Sequence, residues 1–344
     1  MNTLGKNNIV GNEKLCARLY SDIKSGSLAH AYIIEGKKGS GRHTLAKNIL
    51  ASLACTGGHA DLPCGECKNC RDILEDKCPD VMTIGRDGKA SLGIDAVRAI
   101  KSTIMAVANN LEFKAYIFED TDTMTPQAQN ALLLTLEQPP TRVYFFLICE
   151  NARSLLETIR SRAPVLRTEP LEPKDVDAYI TSDRVDKNIS ADAKTLRASS
   201  PEEYKTVLFT ADGSIGRAIE LLSAKSRKPI TDARSLAMRF ISSLKGSSAA
   251  EHPLMLMSAF SQKRDELVFQ LGYVSTALRD LILLKKSDGV QLCFFTDRDE
   301  ALDLSSAFAE RRLITLLDRV NSAVSSLDAN ANVRLTMIEL MSGM

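Results

Sequence analysis

The sequence predicts an α/β domain built on a parallel sheet, followed by a helical region. Three observations support this prediction. Apolar, β-prone runs at residues 31–34, 114–118 and 143–149 alternate with stretches of helical periodicity, as strands joined by crossover helices do. A glycine-rich turn at residues 36–41 follows the first run and precedes a helical pattern. After about residue 167 the strand pattern fades, and the remaining periodicity is helical.

The elements of the α/β part can be placed in order along the chain. We expect helices within residues 9–25, 95–107 and 125–137, and a further short strand at residues 80–84. The third helix has a clear start, because the Thr125 hydroxyl can serve as an N-cap and a Pro follows it in the first turn. The second helix rests on four apolar residues in helical register: Val97, Ile100, Ile104 and Val107.

The second half of the chain is expected to contain helices alone. Residues 171–222 predict three short helices, and the basic segment 225–229 is interpreted as a linker. Apolar stripes then predict two long helices whose faces are typical of a helical core. The first stripe contains Leu267, Leu271, Val274, Leu278, Leu281 and Ile282, and the second contains Leu313, Leu316, Leu317, Val320 and Val324.

The composition is that of a water-soluble globular protein with room for two or three domains. The chain has 344 residues, of which 44% are hydrophobic and 25% charged. Its net charge of +1 provides no strong field to attract nucleic acid or a membrane, so any DNA contact has to be local or supplied by partners. The first residues lack the apolar core of a signal peptide, and we expect a cytoplasmic protein. Eight cysteines then indicate metal ligands or buried thiols rather than disulfides.

Four cysteines are clustered at residues 55–70 with the spacing C-x8-C-x2-C-x2-C: Cys55, Cys64, Cys67 and Cys70. Four thiolates suit a closed tetrahedral zinc site, which would fold a polar segment that cannot order itself. An iron–sulfur cluster is the alternative, although the ferredoxin spacing differs from the one found here. His59 could replace one ligand, but Cys55 completes the set more simply.

The glycine-rich turn resembles a phosphate-binding loop in which two functional positions have changed. Gly36, Gly39 and Gly41 lie where backbone N–H groups would surround a phosphate before a helix N-terminus. A working Walker A loop continues with Lys, which reaches the terminal phosphates, and Ser or Thr, which holds magnesium. Arg42 and His43 occupy these positions. The loop is therefore interpreted as a degenerate nucleotide site, with a plain glycine-rich turn as the alternative.

Together these features resemble the AAA+ subunits of the bacterial DNA polymerase III clamp loader, closely over residues 9–167 and mainly in helical layout beyond. The most specific stretch is 128–140, AQNALLLTLEQPP, and the family also inserts a four-cysteine zinc module after the P-loop helix. The resemblance implies a RecA-like AAA+ α/β domain at residues 1–167 with its zinc module at 55–78. It also implies a small helical lid domain at residues 168–226 and an all-helical collar, or oligomerisation, domain at residues 227–344.

This family includes gamma/tau subunits that hydrolyse ATP and a type of subunit with a degraded nucleotide site that does not. Besides Arg42 and His43, three further departures favour the non-hydrolysing type. The acidic pair is Glu119-Asp120 instead of Asp-Glu, and the polar sensor after the strand 143–149 is Glu150. The arginine of the family's third-domain sensor is replaced by Gly216, with Arg217 one residue late. From the residues alone, Glu119-Asp120 would be an ordinary solvated strand end.

One functional motif of the family is retained. Ser161-Arg162 matches its Ser-Arg-Cys arginine finger, which points into the nucleotide site of the neighbouring subunit, although Ala163 replaces the Cys. The resemblance thus implies that Arg162 acts in trans on a neighbouring ATPase. The alternative is a surface arginine without a catalytic role.

The resemblance implies an accessory subunit that is not an enzyme on its own. Its partners would be gamma/tau and delta subunits, the sliding clamp and, within the complex, primed DNA during replication. Structural zinc is the expected cofactor, and ATP is not expected to be hydrolysed. Two alternatives remain: a gamma/tau-type ATPase with divergent motifs, and a zinc-dependent DNA-binding or redox module.

Overall fold

The computed structural model describes residues 4–5, 9–58, 61–86, 88–245, 256–287, 289–290 and 292–342. The chain divides into two compact units, the first with residues 1–191 and 212–219 and the second with residues 192–211 and 220–344. The strands are β1 (Ala31–Glu35), β2 (Val81–Ile84), β3 (Lys114–Phe118), β4 (Val143–Cys149) and β5 (Val165–Arg167). The helices accompanying them are α1 (Glu13–Lys24), α2 (Arg42–Leu53), α3 (Lys68–Leu74), α4 (Ile94–Ile104), α5 (Pro126–Glu137) and α6 (Glu157–Arg160).

The rest of the described chain is helical. Its α-helices are α7 (Pro173–Ile180), α8 (Lys187–Ser199), α9 (Pro201–Thr210), α10 (Ile215–Leu222), α11 (Ala224–Ser243), α12 (Arg264–Lys286), α13 (Arg298–Ser306), α14 (Glu310–Asp328) and α15 (Val333–Ser342).

The five strands form one parallel sheet in the order β2-β3-β4-β1-β5. Side chains alternate between its two faces, so Phe145 and Leu147 pack in one core with residues of α4, α5 and α6. Phe146 and Ile148 pack on the other face with residues of α1, α2 and α3. A parallel sheet covered by helices on both faces confirms the predicted α/β fold class.

The strand order determines where the loops meet. β1 pairs with β4 on one side and β5 on the other, so the direction of connection changes between β1 and β4. Ligands of open α/β sheets bind at such a point, outside the carboxyl ends of the strands. The glycine-rich turn after β1 and the acidic pair after β3 therefore lie at the same edge of the sheet.

Three expectations for the elements were wrong. Val107 is 89% exposed and lies beyond the end of α4. Residues 171–222 contain four described α-helices and not the predicted three, with α8 and α9 separated by Ser200 alone. Residues 225–229 are not a linker but the first turns of α11, which contains Pro229. Burial of Ile230, Ala233, Leu236, Ala237, Phe240 and Ile241 on the same helix compensates for the backbone donor that the proline lacks.

The second unit is built around α12, which packs against α11, α13 and α14. All six residues of its predicted stripe are buried. By length and composition α12 could cross a membrane, but its buried stripe belongs to the helical core. The apolar character of α12 is thus accounted for by packing.

Candidate functional site

A cavity of about 600 Å³ opens at the carboxyl edge of the sheet. Residues of the glycine-rich turn, the start of α2 and the acidic pair line one part of it, and apolar side chains line another. The functional residues lining it are Lys38, Gly39, Ser40, Gly41, Arg42, His43, Glu119 and Asp120. The apolar lining comes from Ile9, Val10, Leu171, Val185, Ile189, Ile215 and Ile219, with Tyr179 beside them.

The glycine-rich turn needs its glycines for space and for backbone conformation. A Cβ on Gly36 would lie 1.9 Å from the Thr168 hydroxyl oxygen, which itself contacts the Ser40 hydroxyl at 2.9 Å. Gly39 and Gly41 have φ values of +77° and +84°, in the left-handed region that favours glycine. The turn therefore has the curled backbone predicted from its sequence, and Gly36 itself supports it without being among the cavity-lining residues.

Arg42 is the first residue of α2, is 8% exposed and lines the cavity. His43 follows it and is directed toward the end of β3, where its Nε2 lies 3.7 Å from Glu119 Oε1 and 3.5 Å from the Thr83 hydroxyl. Burial lowers the pKa of His43, although the Glu119 carboxylate opposes that shift. His43 is accordingly neutral at pH 7, and the contact is a polar one rather than a full ion pair.

The second acidic residue, Asp120, is also engaged by another side chain. Asp120 has a φ of +50°, and its Oδ2 accepts a hydrogen bond from Arg86 Nε at 3.0 Å. Glu150 follows β4, is exposed and is not among the cavity-lining residues. The structure thus brings Glu119 and Asp120 to the cavity but not Glu150.

The turn before α10 lies directly against the glycine-rich turn. The Gly216 N–H donates to the Gly39 carbonyl at 2.9 Å, and the Ser214 hydroxyl donates to the Lys38 carbonyl at 2.9 Å. Lys37 forms an ion pair with Asp212. A Cβ on Gly216 would lie 2.8 Å from the Cα of Gly39, so a side chain at position 216 has no room in this arrangement.

The four predicted zinc ligands converge between α2 and α3. The Sγ atoms of Cys55, Cys64, Cys67 and Cys70 all lie within 4.8 Å of one another, and those of Cys64 and Cys70 are 3.8 Å apart. Four sulfurs about 2.3 Å from a zinc ion form a tetrahedron with edges of about 3.8 Å. The donor set therefore fits zinc; His59 lies outside the described residues.

The environment of the cluster also favours a thiolate. Burial opposes ionisation of Cys67, but hydrogen bonds from the backbone N–H groups of Thr56 and Cys70, and from their side chains, lower its pKa to about 6. Burial raises the pKa of Cys70. The cluster thus offers one ready thiolate and a buried thiol that a cation would have to deprotonate.

Arg162 lies just beyond α6, away from the residues that line the cavity. Its Nη1 donates to the Thr158 carbonyl at 2.8 Å and to the Ser161 hydroxyl at 3.3 Å. Its Nη2 lies 2.8 Å from Glu137 Oε1 at the end of α5. Ala163 is fully buried in the sheet core, so this departure from the family's Cys keeps a small apolar residue there.

The sequence did not reveal the roles of three residues that contact the candidate site residues: Glu137, Arg86 and Ser214. Each acts through a contact with a residue distant in the sequence, so local periodicity provides no signal for it. Glu137 could have been considered, because it falls within the distinctive stretch 128–140. Arg86 follows the short strand β2, and Ser214 precedes α10. Many polar residues at such places have no special role.

Comparison with known proteins finds the same family that the motifs indicate. Residues 11–172 match the family model for DNA polymerase III, delta subunit. The delta' subunit of DNA polymerase III from Bacillus subtilis is 36% identical over 159 residues, which are 46% of this chain and 48% of that protein. The tau subunit from Escherichia coli is 25% identical over 263 residues, 76% of this chain and 39% of that protein. Thus the chain spans about half the length of the delta' relative and less of the tau relative.

Among solved structures, a gamma subunit-related protein from Thermotoga maritima aligns with a TM-score of 0.46 at 18% identity. The alignment covers 94% of this chain and 97% of that one.

Proposed function

Because this chain belongs, through residues 11–172, to the DNA polymerase III clamp-loader family, we propose that it is a delta-prime-type subunit that does not hydrolyse ATP. It would brace the ring of loader subunits and help open the sliding clamp. It would also supply Arg162 to a neighbouring ATPase while the clamp is loaded on primed DNA.

The contact between His43 and Glu119 is the observation that carries this proposal. A P-loop ATPase holds magnesium with the hydroxyl after the Lys and with an acidic residue at the end of a neighbouring strand. Here the corresponding side chains lie 3.7 Å apart, and His43 has no hydroxyl. Asp120, where the residue that activates water is expected, is paired with Arg86. Both arrangements support a vestigial nucleotide site at Gly36, Gly39, Gly41, Arg42, His43, Glu119 and Asp120.

Zinc would have a structural role in this subunit. Cys55, Cys64, Cys67 and Cys70 would hold the ion in a closed site, leaving no position for a reacting water. The ion would tie the segment after α2 to α3. We therefore place the zinc module outside the chemistry of the loader.

Arg162 is the residue whose role can be tested most directly. Arg162→Ala should leave folding and assembly of the loader intact, because the side chain is partly exposed and the proposed collar carries the assembly contacts. ATP hydrolysis in the neighbouring subunit should fall by a factor on the order of 10³, since an arginine finger stabilises the transferring phosphoryl group. Arg162→Lys should recover part of the rate, because Lys lacks the planar fork.

The measurement is the ATPase rate, stimulated by DNA and clamp, of complexes assembled with each variant. Arg160→Ala is the matched control, as it removes a neighbouring charge from α6. Equal rates for the wild type and Arg162→Ala would show that Arg162 is an ordinary surface residue.

A gamma/tau-type ATPase is the second candidate, favoured by the longer tau alignment and by the retained cavity. Magnesium-dependent ATP turnover by the isolated chain, abolished by Arg42→Ala, would support it. The altered residues at 42, 43, 119 and 120 count against it, because each changes a group that an ATPase needs at a defined distance.

The remaining assignments follow from membership of a loader. We propose domains at residues 1–167, 168–226 and 227–344, the last two being the helical lid and the collar. Gamma/tau and delta subunits would be the direct partners. The sliding clamp and primed DNA would be met within the complex, and the protein would be cytoplasmic. Mass measurement of a complex purified with candidate partners tests these assignments together.

A further inference from the structure

The contact between Arg162 and Glu137 links two segments that are 25 positions apart in the sequence. Glu137 is the last residue of α5, and Arg162 lies one residue beyond the C-cap of α6. Their Nη2 and Oε1 atoms are 2.8 Å apart, and both side chains are partly exposed, 35% for Arg162 and 42% for Glu137. The guanidinium is therefore accessible and at the same time held in one direction.

Glu137 is an unexpected residue for the end of a helix. The carboxyl end of a helix carries partial negative charge, which disfavours an acidic residue there. The last turn of α5 contains no basic residue to offset it. Arg162 supplies the compensating charge from another segment. The helix end and its carboxylate thus form a negative site that orients the arginine.

The three recorded contacts use part of the guanidinium. Nη1 donates to Thr158 and Ser161, and Nη2 contacts Glu137. An arginine has five N–H donors, so this arrangement leaves donors for an anion. It also restricts a long side chain that otherwise loses considerable rotamer entropy on binding. A residue that restricts the arginine before it meets its target lowers the entropy cost at the moment of reaction.

We propose that Glu137 is a positioning residue for Arg162, one that presents the guanidinium to the nucleotide of the neighbouring subunit. This inference rests on the proposed function of Arg162 as an arginine finger. Glu137 acts through Arg162 and need not touch the nucleotide. Its loss should therefore lower the rate of the chemical step in the neighbour without weakening ATP binding there.

The experiment uses the assembled loader with Glu137→Ala, Glu137→Gln, Arg162→Ala and the double variant Glu137→Ala/Arg162→Ala. We expect Glu137→Ala to lower kcat of stimulated ATP hydrolysis about fivefold and to leave KM for ATP unchanged. A loss of about fivefold corresponds to the upper end of the free energies measured for exposed ion pairs. Glu137→Gln keeps an acceptor oxygen and should lose less. In the Arg162→Ala background, removing Glu137 should have no further effect.

The control is Glu112→Ala, which breaks the exposed Arg142–Glu112 pair at 3.2 Å and should leave kcat unchanged. Melting temperatures of the isolated chains identify any variant that fails to fold, in which case Glu137→Gln carries the comparison. An equal loss from Glu137→Ala in the wild-type and Arg162→Ala backgrounds would show a structural role and overturn the inference. The inference would also be overturned if Glu137→Ala leaves kcat unchanged while Arg162→Ala lowers it. If Arg162→Ala itself is as fast as the wild type, the finger assignment fails first.

Discussion

Asp80 shows how one buried carboxylate can fix a loop. It is 1% exposed, and its two oxygens accept hydrogen bonds from the backbone N–H groups of Asn109, Asn110 and Leu111 at 2.6, 2.6 and 2.9 Å. Burial opposes the charged form, but these donors and the Asn109 side-chain amide outweigh it and lower the pKa of Asp80. The loop before β3 is therefore held by an ionised side chain at the start of β2.

We expect Asp80→Asn to lower the free energy of unfolding at pH 7 by about 1–3 kcal/mol, because an amide presents one acceptor oxygen where the carboxylate presents two. The native pKa of Asp80 is lowered. The stabilisation is therefore present above the unfolded pKa of about 3.9 and lost as the pH falls through the native value. Urea unfolding at pH 7 and at pH 3 should show the difference between wild type and variant shrinking in acid.

Asp95→Asn is the control for this prediction, because Asp95 is largely exposed and its partner Arg98, at 3.5 Å, is exposed as well. Its effect should be small at both pH values. A difference between Asp80→Asn and wild type that stays the same from pH 7 to pH 3 would mean that the carboxylate charge is not the source of the stability.

At the scale of single residues, the sequence predicted which positions matter where a motif fixes their spacing. Arg42 and His43 were identified because the glycines before them set the register of the loop. The roles of Glu137 and Arg86 were missed, since their partners Arg162 and Asp120 approach them only after the sheet has formed. Such contacts depend on strand order and helix placement, which residue spacing does not encode.

Among the elements, the cysteine module is the part that the sequence described most completely. Spacing alone indicated that Cys55, Cys64, Cys67 and Cys70 would meet, and the structure brings their sulfurs within 4.8 Å of one another. The ion itself remains a prediction.

Protein purified without added metal should contain close to one zinc per chain by elemental analysis. Cys67→Ser should lose the ion and reduce amide protection across residues 55–78, because the thiolate closes the site. The sheet should keep its protection, since its core residues pack on strands and on the neighbouring helices. Cys293→Ser, at an exposed cysteine outside the cluster, should retain the zinc. Iron with visible absorbance, or no metal, would contradict the prediction.

Burial accounts for where the two misplaced elements begin or end. Basic residues and a proline made segment 225–229 look like a linker, but the buried face that begins at Ile230 extends the helix back through it. Val107 matched the helical register of α4 although the helix ends at Ile104. For α11, tertiary packing outweighed the local preference; beyond Ile104, Val107 is 89% exposed, so no burial extends α4 to it.

For the molecule as a whole, the proposed lack of ATP hydrolysis depends on several groups and not on one. The isolated chain should not hydrolyse ATP, and Arg42→Lys combined with His43→Thr should not restore turnover. The double variant would regain a lysine and a hydroxyl, but Asp120 would remain paired with Arg86. The measurement is phosphate release with magnesium and ATP, with a gamma/tau subunit as the positive control. Turnover by the double variant would show that the two P-loop positions alone account for inactivity.

The contact between Gly39 and Gly216 bears on which substitutions this chain could accept one at a time. A residue introduced at position 216 would place its Cβ 2.8 Å from the Cα of Gly39, and one introduced at position 39 would meet the Ser214 hydroxyl at 2.6 Å. An arginine at 216 would therefore be destabilising unless the backbone of the loop shifts. A chain that gains a side chain at either position alone would be less stable, so the two glycines limit the order in which this pair of turns can change.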